Sequence, residues 1–214
     1  MIILDKQISQ AVIARLPRYF RYLGDLKDQG IERVSSKELS ELMKVTASQI
    51  RQDLNNFGGF GQQGYGYNVI HLYEEISNIL GLHREHNLII VGAGNLGQAI
   101  ANYGNFEKRG FHFMGIFDSN EALHNKKVRD MLIQPMDSIE AYIGEHKIDI
   151  AVLAIPRMSA VKVADELVKY GVKGIWNFAH IDLNVPDGIQ VENVHLSDSL
   201  MKLSYNLHEF NQNE

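Results

Sequence analysis

The chain has 214 residues, of which 45% are hydrophobic and 22% are charged, with a formal net charge of −5 and no cysteine. This length and composition fit one large or two small globular domains and exclude a disordered or fibrous chain, a disulfide framework and thiolate metal sites. No stretch approaches the roughly 18 to 20 apolar residues of a membrane span, so we expect a soluble, cytoplasmic protein.

The charge and composition change along the chain. Residues 1–80 hold nine Lys/Arg and nine Asp/Glu, whereas residues 81–214 hold twelve and seventeen. Near Gly81 an apolar periodic stretch gives way to polar residues and then to branched aliphatics. We therefore predict a domain boundary there. Charge alone gives no indication of a nucleic-acid partner, although a neutral domain can carry a locally basic face.

The first domain, 1–80, has the pattern of a winged helix-turn-helix. Apolar spacing predicts one helix over 9–29. Capping boxes at Ser35 with Glu38 and at Thr46 with Gln49 predict two short helices separated by a tight turn. A glycine-rich stretch, GGFGQQGYGYNV, then predicts a hairpin. The predicted inner faces of the short helices are Leu39, Leu42 and Met43, and Ile50, Leu54 and Phe57.

In a helix-turn-helix the second short helix enters the major groove of DNA. Arginine there can pair bidentately with guanine, and amide side chains can pair with adenine. The alternative is a merely solvated polar face. The candidate DNA-binding residues, including two in the hairpin, are Lys44, Thr46, Ser48, Gln49, Arg51, Gln52, Asn55, Gln62 and Gln63. Candidates for phosphate or interdomain contacts on the first helix are Arg15, Arg18 and Arg21.

In the second domain, 81–195, aliphatic strands alternate with helices. This pattern predicts an α/β Rossmann fold, a doubly wound parallel sheet covered on both faces. The predicted strands are 88–91, 113–117, 150–155, 172–178 and 189–194, and the predicted helices are 95–104, 137–144 and 159–170.

The glycine motif VGAGNLG follows the first of these strands and opens a helix. Gly92, Gly94 and Gly97 thus have the spacing and context of a dinucleotide-binding turn, where helix N–H groups receive a pyrophosphate. Asp118 ends the next strand, 21 residues after Gly97. A carboxylate there accepts both ribose hydroxyls and repels a 2′-phosphate, which favours NAD(H) over NADP(H).

Other strand ends should line the same crevice. Their mostly apolar character supports the hypothesis that the neutral reduced nicotinamide binds better than the cationic ring, although ordinary packing is the alternative. The further cofactor candidates, from the rest of the glycine turn and from the other strand ends, are Ala93, Asn95, Leu96, Ala154, Ile155, Pro156, Asn177, Phe178 and Ala179.

The chain ends in a helix over 196–214 with an apolar stripe. The stripe either packs on its own domain or docks on a second subunit, for which it is a candidate dimerisation helix. Its members are Leu196, Leu200, Leu203, Leu207 and Phe210.

Together the segments RLPRYFRYL, VSSKELSELM, RQDLNNFGGFGQQGYGY, VGAGNLGQAIANYGNF and GIWNFA resemble the Rex family of redox-sensing repressors over nearly the whole chain. The resemblance implies a homodimer with domain-swapped C-terminal helices that binds a palindromic operator and is released by NADH but not NAD⁺. It implies dinucleotide contacts from the motif glycines and Asp118, and places Tyr103 near the nicotinamide. It also assigns Arg21, together with Tyr103, to an interdomain switch.

Several positions depart from the family pattern. The family usually has lysine at Gln52 and Lys-Arg at Gln62 and Gln63, so we expect weaker, less salt-sensitive DNA binding or a different operator. His195 replaces the acid that pairs with the switch arginine, although Asp198 lies one turn later, and His180 replaces a proline. These departures raise the hypothesis of a divergent paralogue with altered ligand sensitivity.

Two other classes of protein are alternatives. A small NAD-dependent oxidoreductase would need a positioned acid or base, for which His180 is the candidate. A regulator that responds to CoA or another nucleotide would use a similar Rossmann domain. No catalytic residue is predicted, because the residues outside the Rossmann domain already have the pattern of a winged helix. No metal site is predicted, because the nine histidines show no ligand spacing.

Overall fold

The computed structural model describes residues 8–58, 61–62 and 65–212. The chain divides into two compact units between Arg84 and Glu85. Each unit has its own hydrophobic core, one in the N-terminal unit and one on each face of the C-terminal sheet. In the described ranges no helix is long and apolar enough to cross a membrane.

The N-terminal unit is a winged helix, as predicted. Helices α3 and α4 form the helix-turn-helix, and a small antiparallel sheet in the order β1-β3-β2 carries the wing. The elements are α1 (Gln10–Ile13), α2 (Leu16–Asp28), β1 (Arg33–Val34), α3 (Ser36–Met43), α4 (Ala47–Asn55), β2 (Gly61–Gln62), β3 (Gly66–Asn68) and α5 (Val69–Ile79).

The prediction of one helix over 9–29 is wrong, because the helix is interrupted between α1 and α2. Pro17 lies in the first turn of α2. Proline has no N–H to donate to the preceding turn and is favoured at a helix start, so the helix begins anew there. Arg15 immediately precedes α2 and turns its side chain into the unit.

The inner faces of α3 and α4 follow the predicted pattern except at Leu42 and at Phe57, which is half-buried and lies beyond the end of α4 at Asn55. Leu39, Met43 and Ile50 are completely buried, but Leu42 is 42% exposed. The capping box at Ser35 has both reciprocal hydrogen bonds. Between the helices Lys44 takes a left-handed conformation, φ 52°, which closes α3 and redirects the chain into α4.

The C-terminal unit has a seven-stranded sheet in the order β10-β9-β8-β4-β5-β7-β6. All neighbouring strands are parallel except β6 and β7, two strands that the sequence pattern did not predict. The elements are β4 (His86–Val91), α6 (Asn95–Asn102), β5 (Phe111–Asp118), β6 (Lys127–Val128), β7 (Met131–Pro135), α7 (Ile139–Glu145), β8 (Ile150–Leu153), α8 (Arg157–Lys169), β9 (Gly174–Asn177), β10 (Gln190–Asn193) and α9 (Leu196–Gln212).

Alternating residues of β4 show how the sheet is covered. Ile89 and Val91 pack with α7 and α8, whereas Leu88 and Ile90 pack with α6 on the other face. On the α6 face the single chain has an apolar hollow of about 430 Å³. Its lining residues are Leu88, Phe106, Phe111, Ile150, Gly174, Ile175, Trp176, Gln190, Val191 and Glu192.

Candidate dinucleotide site and nucleic-acid interface

A cleft of about 920 Å³ lies at the carboxyl ends of the parallel strands. Because β4, β5 and β8 are neighbours, the turns that follow them meet at this edge of the sheet. The structure thereby brings together many of the predicted cofactor residues: Gly92, Gly94, Asn95, Leu96, Asp118, Ala154, Ile155 and Pro156.

The glycine turn needs glycine at two positions for steric reasons. Gly92 has φ +102°, and a Cβ there would lie 2.3 Å from the Ala154 carbonyl oxygen. A Cβ on Gly97 would lie 1.8 Å from the carbonyl oxygen of Gly92, so α6 packs directly on the turn. Gly94 caps α6 without a side-chain hydrogen bond. The N–H groups of the first turn of α6 therefore suit a pyrophosphate.

Asp118 is fixed beside this turn by two backbone hydrogen bonds. The N–H of Ala93 donates to Oδ2 at 2.6 Å, and the N–H of Asn120 donates to Oδ1 at 2.7 Å. Each carboxylate oxygen keeps a second lone pair for a ribose hydroxyl. The residues around the cleft fit an adenine dinucleotide.

The charges around the cleft disfavour a further phosphate. Its lining includes Asp118, Asp137, Glu140 and Glu166, against Lys162 as the basic residue. A 2′-phosphate beside Asp118 would place like charges close together. The surroundings of Asp118 therefore favour NAD(H) over NADP(H).

Sequence reasoning missed a whole wall of the cleft. It is built by the segment after β7 and by the exposed side of α8, together with Ser119 after β5, and β7 itself was not predicted. The rule that ligands bind at strand ends identifies lining residues only after strands that the sequence predicts. The missed lining residues are Ser119, Met136, Asp137, Ile139, Glu140, Met158, Ser159, Lys162, Val163, Glu166 and Tyr170.

The predicted residues at the end of β9 do not line this cleft. Asn177 is completely buried. It donates to the carbonyl oxygen of Ile181 at 2.7 Å and to Asn193 Oδ1 at 2.8 Å, and accepts from the N–H of Ala179 at 3.0 Å. Asn177 thus shapes the turn after β9, and Phe178 stacks edge-on against Trp176.

Three of the four residues predicted for a switch contact partners within their own units. Tyr103 is 50% exposed at the end of α6, and its hydroxyl accepts from Asn105. His195 bonds Asp182 through Nε2 at 3.1 Å, and its ring lies edge-on to that of His180. The exposed residues Arg21 and Asp198 lie on α2 and α9, with the Arg21 guanidinium over the ring of Tyr22. Their role in a switch stays a prediction.

Helix α4 presents a polar surface in the N-terminal unit. Ser48, Arg51, Gln52 and Asn55 are exposed, and so are Lys44 and Thr46 just before the helix. Arg51 Nη1 donates to Ser36 Oγ at 3.0 Å. Gln62 belongs to β2, whereas Gln63 lies outside the residues that the structure describes.

Three polar residues predicted to face DNA or another domain are engaged inside the N-terminal unit. The second capping box is only half formed, because Thr46 accepts from the N–H of Gln49 but the Gln49 side chain donates to Asp53 at 2.8 Å. Arg15 makes two bonds to Asp53, each 2.7 Å. Arg18 Nη2 donates to the carbonyl oxygen of Met43 at 2.6 Å.

Comparison with known proteins agrees with both halves of the structure. Residues 7–55 match the family described as "Putative DNA-binding protein N-terminus", and residues 83–181 match the family described as "CoA binding domain". The redox-sensing transcriptional repressor Rex of Thermoanaerobacter pseudethanolicus is 59% identical over 95% of this chain and 91% of its own length. The redox-sensing transcriptional repressor Rex of Clostridium novyi is 58% identical over 96% of this chain and 98% of its own length.

Among solved structures, the Rex-family repressor RSP is similar over nearly the full length. RSP in complex with β-NAD⁺ and operator DNA has a TM-score of 0.90 and 58% identity, covering 97% of this chain and 96% of RSP. RSP in complex with β-NADH has a TM-score of 0.89 and 55% identity, covering 97% and 98%.

A winged helix and a dinucleotide cleft on one chain define a ligand-responsive transcription regulator. Full-length identity near 58% to curated repressors is far above what a shared fold alone would give. The chain belongs to the Rex family of redox-sensing transcriptional repressors.

Proposed function

We propose that this chain, acting in the cytoplasm as a homodimer, represses transcription by binding a palindromic operator and is released when NADH occupies the cleft. The observation that supports this most directly is the shared architecture with RSP, whose structures hold NADH in one case and NAD⁺ with operator DNA in the other. Parallel operator titrations with the two redox forms test it.

The dimer proposal rests on α9. The five apolar residues of its stripe are 53% to 67% exposed in the single chain. Burial of a leucine or phenylalanine side chain contributes about 1.5–3 kcal/mol, so leaving five of them in water is costly. We infer that a second copy covers the stripe, as in a domain-swapped dimer. A second copy seated on α9 also explains why the apolar stripe of this helix is left uncovered by its own unit.

Arg51 is proposed as a direct base reader on α4. Replacing Arg51 with alanine should weaken operator binding by about 1–3 kcal/mol and remove the preference at one base pair of each half-site. Binding to a panel of single-base operator variants measures this effect. Arg109→Ala, an exposed arginine in the other unit, is the control. An unchanged base profile in Arg51→Ala would mean that a different element reads the operator.

Asp118 is proposed as the ribose ligand. Replacing Asp118 with alanine should weaken NADH binding by about tenfold or more, because two hydrogen bonds to a charged acceptor are lost. Binding of the ligand-free variant to the operator should stay as in the wild type. Calorimetric titration measures the change, with the exposed loop residue Asp187→Ala as control. Equal affinities of Asp118→Ala and wild type for NADH would remove Asp118 from the site.

NAD(H) is proposed to act as a regulatory ligand and not as a co-substrate. The observation that supports this is that the relatives are named transcriptional repressors. The match to a CoA-binding domain family makes CoA the second candidate ligand. A thermal-shift panel of NADH, NAD⁺, NADPH and CoA separates these, and hydride transfer to any carbonyl substrate would contradict the proposal.

A further inference from the structure

Asp53 on α4 is the centre of a buried polar network in the winged-helix unit. Its side chain is completely inaccessible to solvent. Arg15 donates to both carboxylate oxygens at 2.7 Å, Tyr19 donates its hydroxyl proton to Oδ2 at 3.0 Å, and Gln49 donates to Oδ1 at 2.8 Å. The network joins α4 to the start of α2, 38 residues earlier in the chain.

The balance of forces keeps Asp53 ionised. Burial alone would raise the pKa of its carboxyl, but the hydrogen bonds from Arg15, Gln49 and Tyr19 hold that pKa below its usual value. Burial and the bond to Asp53 raise the pKa of the Tyr19 hydroxyl, which therefore stays a donor. A buried ion pair of this kind adds little net stability over an apolar pair of similar volume, whereas it fixes one geometry. This points to positioning rather than stability as its use.

The geometry of the first two turns of α4 supports that role. Gln49 and Asp53 are four residues apart and lie on the same side of the helix. A carboxylate accepts only from the nitrogen of the Gln49 side chain, so the network also decides which end of that carboxamide faces outward. Gln49 is half-buried, whereas Ser48, Gln52 and Asn55 are exposed. Gln49 therefore belongs to the base of the interface and not to its outer face.

We propose that Asp53 is a positioning residue of the DNA interface, which through Arg15 and Gln49 fixes α4 in the orientation that specific operator binding requires. This rests on the proposed role of α4 as the recognition helix. Non-specific binding to phosphates depends on exposed cations and needs no such alignment. The network should thus matter for the ratio of specific to non-specific affinity.

The near-isosteric variant Asp53→Asn tests this. The operator Kd should rise about tenfold, equivalent to about 1.4 kcal/mol, while the Kd for a scrambled duplex and for NADH should change by less than about twofold. The share of the acid dependence of stability that comes from Asp53 should also disappear, while that of other carboxyls such as Glu38 remains. The wild-type contribution is present above the unfolded carboxyl pKa of about 3.9 and is lost as pH falls through the lower folded value, whereas the amide of the variant does not titrate. Asp25→Asn, an exposed residue of α2, is the matched control.

A second variant keeps the test decisive if Asp53→Asn does not fold. Gln49→Met leaves Asp53 with Arg15 and Tyr19, and should lower the preference for operator over scrambled duplex by about fivefold, spread over all positions of the half-site. Loss of the preference at a single base pair would make Gln49 a direct reader and overturn the proposal. So would an unchanged preference in either folded variant. Failure of the wild type to bind any operator would instead contradict the proposed function.

Discussion

Replacing Gly97 with alanine should abolish NADH control while leaving operator binding intact. The new Cβ would lie 1.8 Å from the carbonyl oxygen of Gly92, a backbone atom that no side-chain rotation can move away. Helix α6 must then shift off the glycine turn, and its N–H groups move away from the proposed pyrophosphate position. We expect NADH binding at least about 100-fold weaker, equivalent to about 2.7 kcal/mol, measured by calorimetric titration.

The control is Gly104→Ala, because a Cβ on Gly104 meets no atom within 4 Å and the residue has no left-handed backbone. This variant should bind NADH as the wild type does. Circular dichroism and thermal unfolding of Gly97→Ala establish that both units remain folded. Wild-type NADH affinity in a folded Gly97→Ala protein would show that the dinucleotide does not bind at the amino terminus of α6.

Placing a charge in the middle of the α9 stripe should dissociate the dimer. Leu203 is 53% exposed in the single chain and lies at the centre of the stripe. Burying an unpaired carboxylate there against a second copy would cost several kcal/mol. Leu203→Glu should therefore be monomeric in sedimentation velocity. Because a palindromic operator is bound by two linked units, its apparent affinity should fall by about 100-fold or more.

Lys202→Glu introduces the same acid one residue earlier, off the stripe, and should remain dimeric. NADH binding to the Leu203→Glu monomer should be detectable, since the glycine turn and Asp118 come from the same chain. A Leu203→Glu protein that remains a dimer with wild-type operator affinity would show that another surface joins the two copies.

The features that the sequence predicted well depend on local rules. The winged helix was recognisable because caps such as Ser35 with Glu38 determine where a helix begins, whatever surrounds it. The glycine turn and Asp118 were recognisable because a parallel sheet brings consecutive strand ends to one edge. Runs of aliphatic residues predicted β4, β5 and β8, because a strand that is buried on both faces has few polar residues to interrupt the run.

The features that the sequence did not reveal depend on contacts distant in the chain. Gln49 has the spacing of a capping box with Thr46, yet a buried carboxylate on the next turn competes for its side chain. Leu42 has the spacing of an apolar helical face, but it lies at the edge of the hydrophobic core and its side chain is exposed. The cleft wall that follows β7 was missed because β7 itself, Met131–Pro135, is short and mixed in polarity. Neither the helical nor the strand periodicity of apolar residues identifies such a segment.

The departures at His180 and His195 make the redox response the most informative property to measure. Those two rings and Asp182 lie between β9 and α9. The resemblance to the family implies a proline at position 180 and an acid at position 195. If these residues belong to the interdomain switch, as the resemblance implies, a change there should alter the switch and leave the cleft unchanged, because the cleft lies at other strand ends. We therefore expect substitutions at these positions to affect operator release and ligand binding separately.

The most direct test is a titration of the purified dimer with its operator at fixed salt, in the presence of saturating NADH or saturating NAD⁺. The proposed mechanism predicts that NADH raises the operator Kd by about tenfold or more, a coupling of about 1.4 kcal/mol, and that NAD⁺ does not. Equal operator affinity with both redox forms, when both are shown to bind, would contradict a redox-sensing role for this chain.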